Sequence, residues 1–298
     1  MVLSADEVET YRRDGYIYLQ QISTPDEVLE IREILADLFA RKVGVKEGAQ
    51  FDLLNPDSTD SMTLGQLTNP CDFAPRLRKT EYVKKAHDLA KQLLGPRALR
   101  SADFVLMKPA RTGSATPWHQ DQAYRNASYT ARELSIWMPL QDVDENSGCM
   151  QFVPGTQLYP IKPHRSPNND LRSHSLECCE IPPPEKVVSV PMRAGDCSIH
   201  DNRVLHGTPA NRSEVTRFAY ILVFQEPVVT TEAPVPYLWL LEKVNVNRKR
   251  HEAWFRRGGF LIVAWHKFRR GDLSSIDGIK LALQRGIMHF WKKKPSQT

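Results

Sequence analysis

The chain has 298 residues, of which 41% are hydrophobic and 25% charged, an ordinary globular composition with ample apolar material for a core. Its first residues contain neither a basic start nor an apolar run, and its longest apolar patches, such as residues 260–265, fall far below the roughly 20 residues of a membrane span. The five cysteines lack the spacing of a zinc site and are expected to be reduced thiols. These features argue against a secreted or membrane-spanning protein and predict a cytoplasmic one.

The net charge of +5 is unevenly distributed along the chain. Residues 236–298 hold 14 Lys and Arg against 4 Asp and Glu, a balance of +10, whereas the preceding 235 residues have a balance of −5. We therefore predict one large domain over residues 1–235, followed by a basic, partly helical extension over residues 236–298 that packs on or next to it.

The first hundred residues carry the signals of helices. Ser4 with Glu7 is a capping box, and Thr24 with Pro25 supplies an N-cap residue and a proline at the first helical position. Apolar residues then recur at helical spacing. These signals predict helices at about residues 4–13, 24–42 and 79–94, with short strands at residues 16–19 and near 62–67.

From residue 99 onward, short runs of β-forming residues alternate with turn residues. Strands are predicted at residues 104–107, 134–140, 149–153, 187–190, 197–199 and 218–224. This spacing favours a sandwich or barrel, so we predict a mainly β fold with flanking helices: a double-stranded β-helix, or cupin-like jelly roll, buttressed by the N-terminal helices. The long connection at residues 159–186 is predicted to be a lid or binding loop.

His119 and Asp121 stand two residues apart in the sequence His119-Gln120-Asp121. On a strand, alternate residues face the same side, so both side chains could point into one cavity. A His-x-Asp pair is by itself also compatible with a surface pair or a satisfied core histidine.

A second histidine follows in the segment of residues 195–211, where His206 precedes Gly207 and Thr208. Two histidines and one carboxylate form the facial triad of non-haem Fe(II) oxygenases, although zinc tolerates the same ligand types. His200 is the rival for the third position. It lacks the Gly-Thr-Pro-x-Asn turn that follows His206, which favours His206.

An ordered set of motifs resembles the phytanoyl-CoA dioxygenase family. The resemblance is close over roughly residues 100–225 and loose over the N-terminal helices. The motifs are His119-Gln120-Asp121, Trp137, residues 146–156, Gly195-Asp196, His206-Gly207-Thr208 with Asn211, and Arg217.

The resemblance implies a role for each motif. His119, Asp121 and His206 would bind Fe(II). Arg217 would grip the far carboxylate of 2-oxoglutarate, which suits a guanidinium that can meet a carboxylate with two hydrogen bonds. Thr208 would bind the same carboxylate, and Trp137 would form an aromatic wall of that pocket or simply belong to the core. Lys108, which precedes Pro109, is interpreted as a charge at the end of a strand.

The implied activity is that of an Fe(II)- and 2-oxoglutarate-dependent dioxygenase. Such an enzyme consumes O2 and 2-oxoglutarate, releases succinate and CO2, and hydroxylates an aliphatic carbon of a small molecule, with ascorbate as an activator in vitro. Desaturation, epoxidation or ring closure would use the same iron, and the motifs do not distinguish these reactions from hydroxylation. The carboxylate of Asp121 argues against halogenation, because halogenating relatives have a small residue there. Two alternatives remain open: a cupin-like metalloenzyme that does not use 2-oxoglutarate, and a non-catalytic jelly-roll binding protein. The motifs do not specify the substrate, which could be a natural-product intermediate, a lipid or an acyl thioester, or the oligomeric state.

The basic extension interleaves aromatic and apolar runs with Lys and Arg clusters. Such a pattern suits a helix lying on an anionic membrane or meeting an anionic substrate. The alternative is that its apolar residues pack against the jelly roll. No nucleic-acid-binding module is present in the sequence, so we expect no nucleic-acid partner.

Overall fold

Two antiparallel sheets pack face to face in a computed structural model that describes residues 1–58, 61–128, 131–227 and 235–244. The helices are α1 Ala5–Asp14, α2 Pro25–Ala40, α3 Pro70–Phe73, α4 Glu81–Leu94 and α5 Leu238–Leu241. The strands are β1 Tyr16–Leu19, β2 Gln50–Asp52, β3 Gly65–Thr68, β4 Leu99–Lys108, β5 Thr116–His119, β6 Glu133–Pro139, β7 Met150–Val153, β8 His164–Arg165, β9 Glu177–Cys178, β10 Val188–Val190, β11 Cys197–Asp201, β12 Leu205–Thr208 and β13 Arg217–Gln225.

The seven-stranded sheet has the order β1-β11-β6-β13-β4-β3-β2, and the four-stranded sheet has the order β10-β7-β12-β5. Every pairing within these sheets is antiparallel. The predicted jelly roll with flanking helices is thereby confirmed.

The N-terminal helices begin where their capping residues predict. The Ser4 side chain accepts a hydrogen bond from the Glu7 amide, and the Glu7 side chain accepts one from the Ser4 amide. Thr24 caps α2, which ends at Ala40 rather than at the predicted Lys42. Lys42 has a φ of +52°, which is left-handed and cannot continue a right-handed helix.

The central strand β13 is buried along both faces. Phe218, Tyr220 and Leu222 belong to the apolar cluster under the helices, whereas Ala219 and Ile221 belong to the cluster between the two sheets. This alternation follows from the two-residue repeat of a strand. The helices therefore cover the outer face of the large sheet, and its inner face is left to form the site.

The long connection over residues 159–186 carries a small sheet of its own. Strands β8 and β9 pair His164 with Cys178 and Arg165 with Glu177. Residues 235–244 then return to this region. The Lys243 Nζ donates hydrogen bonds to the carbonyls of Ser173 at 2.7 Å and Ser175 at 2.5 Å.

Most of the basic extension for which membrane contact is predicted lies outside the residues that the structure describes, the last of which is residue 244. Within the described ranges, no helix has the length and apolar character needed to cross a membrane.

Candidate metal and co-substrate site

His119 and His206 lie opposite each other on neighbouring strands of the small sheet. They are direct register partners of β5 and β12, and their ring centroids are 4.2 Å apart. The Nδ1 of His119 lies 2.7 Å from the carbonyl of Pro117, and that of His206 lies 3.0 Å from the carbonyl of Val204. Both Nδ1 atoms therefore carry the proton, which leaves each Nε2 as a free lone pair for a metal.

Asp121 supplies the carboxylate between these rings. Its Oδ1 lies 3.5 Å from the Nε2 of His119 and 3.8 Å from the Nε2 of His206, and the three candidate ligand atoms lie within 4.8 Å of one another. The prediction that His119 and Asp121 share a strand was wrong in one respect. The strand ends at His119, and Asp121 opens a 3-10 turn whose Gln122 amide donates to the carbonyl of Asn202.

The outer oxygen of Asp121 is held by the large sheet. Ser135 Oγ donates a hydrogen bond of 3.0 Å to Oδ2, and the Nε2 of His200 lies 3.7 Å from the same atom. Ser135 and His200 are register partners on β6 and β11. His200 thus stands beside the triad but faces the other carboxylate oxygen. Its Nδ1 has no hydrogen-bond partner among the described residues, unlike those of His119 and His206.

Electrostatics favour the protonation states that a metal needs. Burial, together with the neighbouring His119 and His200, holds the pKa of His206 well below its usual value, so the ring is neutral at physiological pH. Burial would raise the pKa of Asp121, but the surrounding histidines outweigh it and hold that pKa well below its usual range. A neutral His206 imidazole and an ionised Asp121 carboxylate are the forms that bind a divalent cation.

Arg217, Thr208 and Trp137 also come together. The guanidinium carbon of Arg217 lies 5.4 Å from the centroid of the Trp137 ring, and its Nη2 lies 3.5 Å from Thr208 Oγ1. Arg217 is fully buried, and burial lowers its pKa to about 9. Its Nε and Nη1, like the Nε1 of Trp137, have no hydrogen-bond partner among the described residues.

Lys108 is the residue in this pocket that the sequence interpretation missed. It lies at the end of β4, as predicted, but its side chain is fully buried, and it is the register partner of Arg217. Burial lowers the pKa of Lys108 well below its usual value, and the nearby Arg217 lowers it further. The signal was present in the sequence, because Lys108 follows Phe104 and Leu106 in the alternation that places side chains between the sheets.

Residues 235–244 contact the turn that carries Asp121. The Nε1 of Trp239 donates to the carbonyl of Ala123, two residues after Asp121, and its ring stacks on Tyr237 at 4.4 Å. The Trp239 ring also lies 5.5 Å from that of His164, whose pKa burial lowers to about 4. The first residues of the predicted extension thus contact the turn that carries a candidate metal ligand.

Comparison with known proteins agrees with this architecture. The family model for phytanoyl-CoA dioxygenase (PhyH) matches residues 11–219. Phytanoyl-CoA dioxygenase domain-containing protein 1 of Danio rerio is 20% identical over 284 residues, covering 82% of this chain and 97% of that protein. The probable alpha-ketoglutarate-dependent hypophosphite dioxygenase of Stutzerimonas stutzeri is 25% identical over 222 residues, covering 72% and 75%. EvdO2 of Micromonospora carbonacea var. aurantiaca, solved with 2-oxoglutarate, matches with a TM-score of 0.68 at 26% identity, covering 80% of this chain and 98% of EvdO2.

The jelly roll and its cluster of two histidines and a carboxylate define the class of non-haem Fe(II)- and 2-oxoglutarate-dependent dioxygenases. Within that class, the chain belongs to the phytanoyl-CoA dioxygenase family. The resemblance drawn from the motifs, the enzyme class and its use of iron and 2-oxoglutarate are thereby confirmed.

Proposed function

We propose that this dioxygenase hydroxylates an aliphatic carbon of a small organic substrate. His119, Asp121 and His206 are the iron ligands, and Arg217, Thr208 and Trp137 bind 2-oxoglutarate. The overall reaction takes the substrate, O2 and 2-oxoglutarate to the hydroxylated product, succinate and CO2. One oxygen atom enters the C–H bond, and the other enters the carboxylate of succinate.

The observation that carries this proposal is the set of buried donors without acceptors around Arg217. Two guanidinium nitrogens and the Trp137 Nε1 are buried and have no hydrogen-bond partner among the described residues. Leaving buried donors unsatisfied costs about 1 to 3 kcal/mol each, and more for a charged group. A carboxylate satisfies such donors and neutralises the guanidinium. This pocket therefore fits an anionic co-substrate.

The position of Thr208 connects this pocket to the metal ligands. Thr208 follows His206 by two residues on β12, so their side chains lie on the same side of the strand, roughly 7 Å apart along it. A five-carbon dicarboxylate has about this length. One end of 2-oxoglutarate can therefore reach the triad while the other meets Arg217 and Thr208.

The bound iron would supply oxygen activation and oxidative decarboxylation of 2-oxoglutarate. The residues of the chain do the rest. His119 and His206 present their Nε2 atoms, and their Nδ1 hydrogen bonds to backbone carbonyls fix the ring orientations. Asp121 contributes its inner oxygen while Ser135 holds the outer one. The sheets that bury His119 and His206 shield the reacting carbon from bulk water.

Asp121 also distinguishes hydroxylation from halogenation. Halogenation by related enzymes requires an open metal position where the carboxylate would bind, and here the carboxylate occupies the centre of the cluster, near both histidines. This ligand set therefore supports hydroxylation over halogenation.

The substrate is proposed only as a class. The matched proteins include a hypophosphite dioxygenase and an ectoine dioxygenase, both named for small molecules. The stacked Tyr237 and Trp239, with His164 nearby, place aromatic rings next to the turn that carries Asp121. Such rings suit a small organic molecule, such as a natural-product intermediate, a lipid fragment or an acyl thioester.

The experiment that tests this function measures succinate formed from 2-oxoglutarate by the full chain with Fe(II), ascorbate and O2, with and without a panel of candidate metabolites. We expect slow succinate release alone and faster release with a substrate, together with a product heavier by one oxygen. Zinc- or manganese-dependent turnover of the panel without consumption of 2-oxoglutarate would instead favour a cupin-like enzyme. No release of succinate and no turnover under any condition would favour a binding protein.

A further inference from the structure

We propose that Lys108 is a positioning residue for the co-substrate: it sets the direction of the Thr208 hydroxyl, so that this hydroxyl donates to the far carboxylate of 2-oxoglutarate. The inference rests on the proposed function, because it assigns a role within the same pocket.

The contacts of Lys108 show how it acts. Its Nζ lies 2.7 Å from Thr208 Oγ1, 3.3 Å from the Thr208 carbonyl and 2.7 Å from the Pro209 carbonyl. These three acceptors match the three N–H donors of an ammonium group. Lys108 thus has no donor left for a ligand and must act through Thr208.

The hydrogen bond from Lys108 determines what the Thr208 hydroxyl can do. A hydroxyl has one proton to donate, and an oxygen that already accepts from an ammonium directs that proton elsewhere. In the structure, Thr208 Oγ1 donates to Thr116 Oγ1 at 2.9 Å. The guanidinium of Arg217, at 3.5 Å from Thr208, offers only donors. When a carboxylate binds beside Arg217, the Thr208 hydroxyl can donate its proton to that carboxylate instead of to Thr116 Oγ1.

The plain alternative is that Lys108 only fastens the turn after β12. Asn211, which lies in that turn, already does this, since its Nδ2 lies 2.9 to 3.0 Å from the carbonyl oxygens of Lys108, Pro109 and Val215 and has two N–H groups to donate to them. A purely structural lysine would change the binding of every ligand that enters the site, whereas a positioning lysine changes only the binding of those that carry the far carboxylate.

The test is calorimetric binding of two keto acids to the full chain loaded with Mn(II). One is 2-oxoglutarate, and the other is 2-oxopentanoate, which lacks the far carboxylate. The variants are Lys108→Met, Thr208→Val, their double variant and Thr116→Val. We expect Lys108→Met and Thr208→Val each to weaken 2-oxoglutarate binding about tenfold or more, as for hydrogen bonds to charged groups. Neither should change Mn(II) or 2-oxopentanoate binding more than about twofold.

The double variant decides whether Lys108 acts through Thr208. If it does, the double variant binds 2-oxoglutarate about as weakly as the weaker single variant, because coupled residues are not additive. Multiplicative losses would overturn the inference, as would equal losses for both keto acids. Thr116→Val removes only the resting acceptor and should leave 2-oxoglutarate binding unchanged or tighter. A tenfold loss there would overturn the proposed hydroxyl direction even if the Lys108 variants do not fold.

Arg217→Ala separates this inference from the proposed function. If Arg217→Ala abolishes 2-oxoglutarate binding while Lys108→Met does not weaken it, only the role of Lys108 fails. If Arg217→Ala also binds 2-oxoglutarate normally, the pocket assignment itself fails.

Discussion

His119 and His206 face each other across the ladder between β5 and β12, with ring centroids 4.2 Å apart and both Nδ1 atoms hydrogen-bonded to backbone carbonyls two residues earlier in the chain. The shared geometry leaves both Nε2 atoms directed at the same oxygen of Asp121. The ring of His200 is only 4.5 Å from that of His206, but its Nδ1 has no hydrogen-bond partner among the described residues and its Nε2 faces the other oxygen of Asp121. The distinction between a candidate ligand and a neighbour thus depends on the backbone partner of each ring.

Replacing any candidate ligand with alanine should abolish metal binding and turnover. His119→Ala, Asp121→Ala and His206→Ala each remove one of only three ligands, so we expect no stoichiometric Fe(II) or Co(II) in a titration monitored by absorbance. Circular dichroism should show that the fold is retained. His200→Ala is the matched control and should keep the metal. Loss of metal in His200→Ala with retention in His206→Ala would show that the ligand assignment is wrong.

Arg217→Ala should strongly raise the KM for 2-oxoglutarate. Truncating one partner of a buried charge pair costs about 2 to 5 kcal/mol, which corresponds to about thirtyfold or more in affinity. Arg212→Ala, an exposed arginine on the neighbouring turn, is the control and should leave the constant unchanged. The measurement is succinate release as a function of 2-oxoglutarate concentration. A KM for Arg217→Ala within twofold of the wild type would contradict the role of Arg217.

Trp137→Phe should show whether Trp137 contributes to 2-oxoglutarate binding through its indole N–H or only through its ring. The substitution keeps a ring beside Arg217 but removes the buried Nε1 donor. If this donor meets the carboxylate, 2-oxoglutarate affinity should fall by about 1.5 kcal/mol or more, roughly tenfold. Trp118→Phe, whose ring packs in the separate cluster with Val153 and Leu205, should bind 2-oxoglutarate normally. Normal binding by Trp137→Phe would indicate that Trp137 is plain core.

Ser135→Ala should weaken metal binding without removing a ligand. Ser135 holds the outer oxygen of Asp121, and partners of this kind typically contribute 10- to 100-fold in metal affinity or activity. Ser198→Ala, on the adjacent strand with a buried hydroxyl that lacks a partner among the described residues, is the control. The dissociation constant for Co(II), measured by titration, should rise for Ser135→Ala alone. Equal effects of both substitutions would indicate general loosening of the sheet.

The sequence by itself determined the elements whose signals are local. The capping box at Ser4 and the Thr24-Pro25 start fixed where two helices begin, because a cap and a first helical turn are made by residues within three or four positions of each other. Runs of β-forming residues between turn residues also marked several strands of the jelly roll, among them β4, β6 and β13. The motifs around His119 and His206 indicated the candidate ligands, since neighbours in sequence are sufficient to specify them.

Only the tertiary structure decided which residues from distant strands meet. Ser135 reaches Asp121, and Lys108 reaches Thr208 a hundred positions away, because the two sheets pack face to face. Residues 235–244 likewise contact the turn of Asp121 through Trp239, a contact that no local pattern indicates. The packing of two sheets depends on the register of every strand and on the turns that join them, so it cannot be read from any short segment. For this reason the sequence indicated the ligands, whereas their supporting partners emerged only from the folded chain.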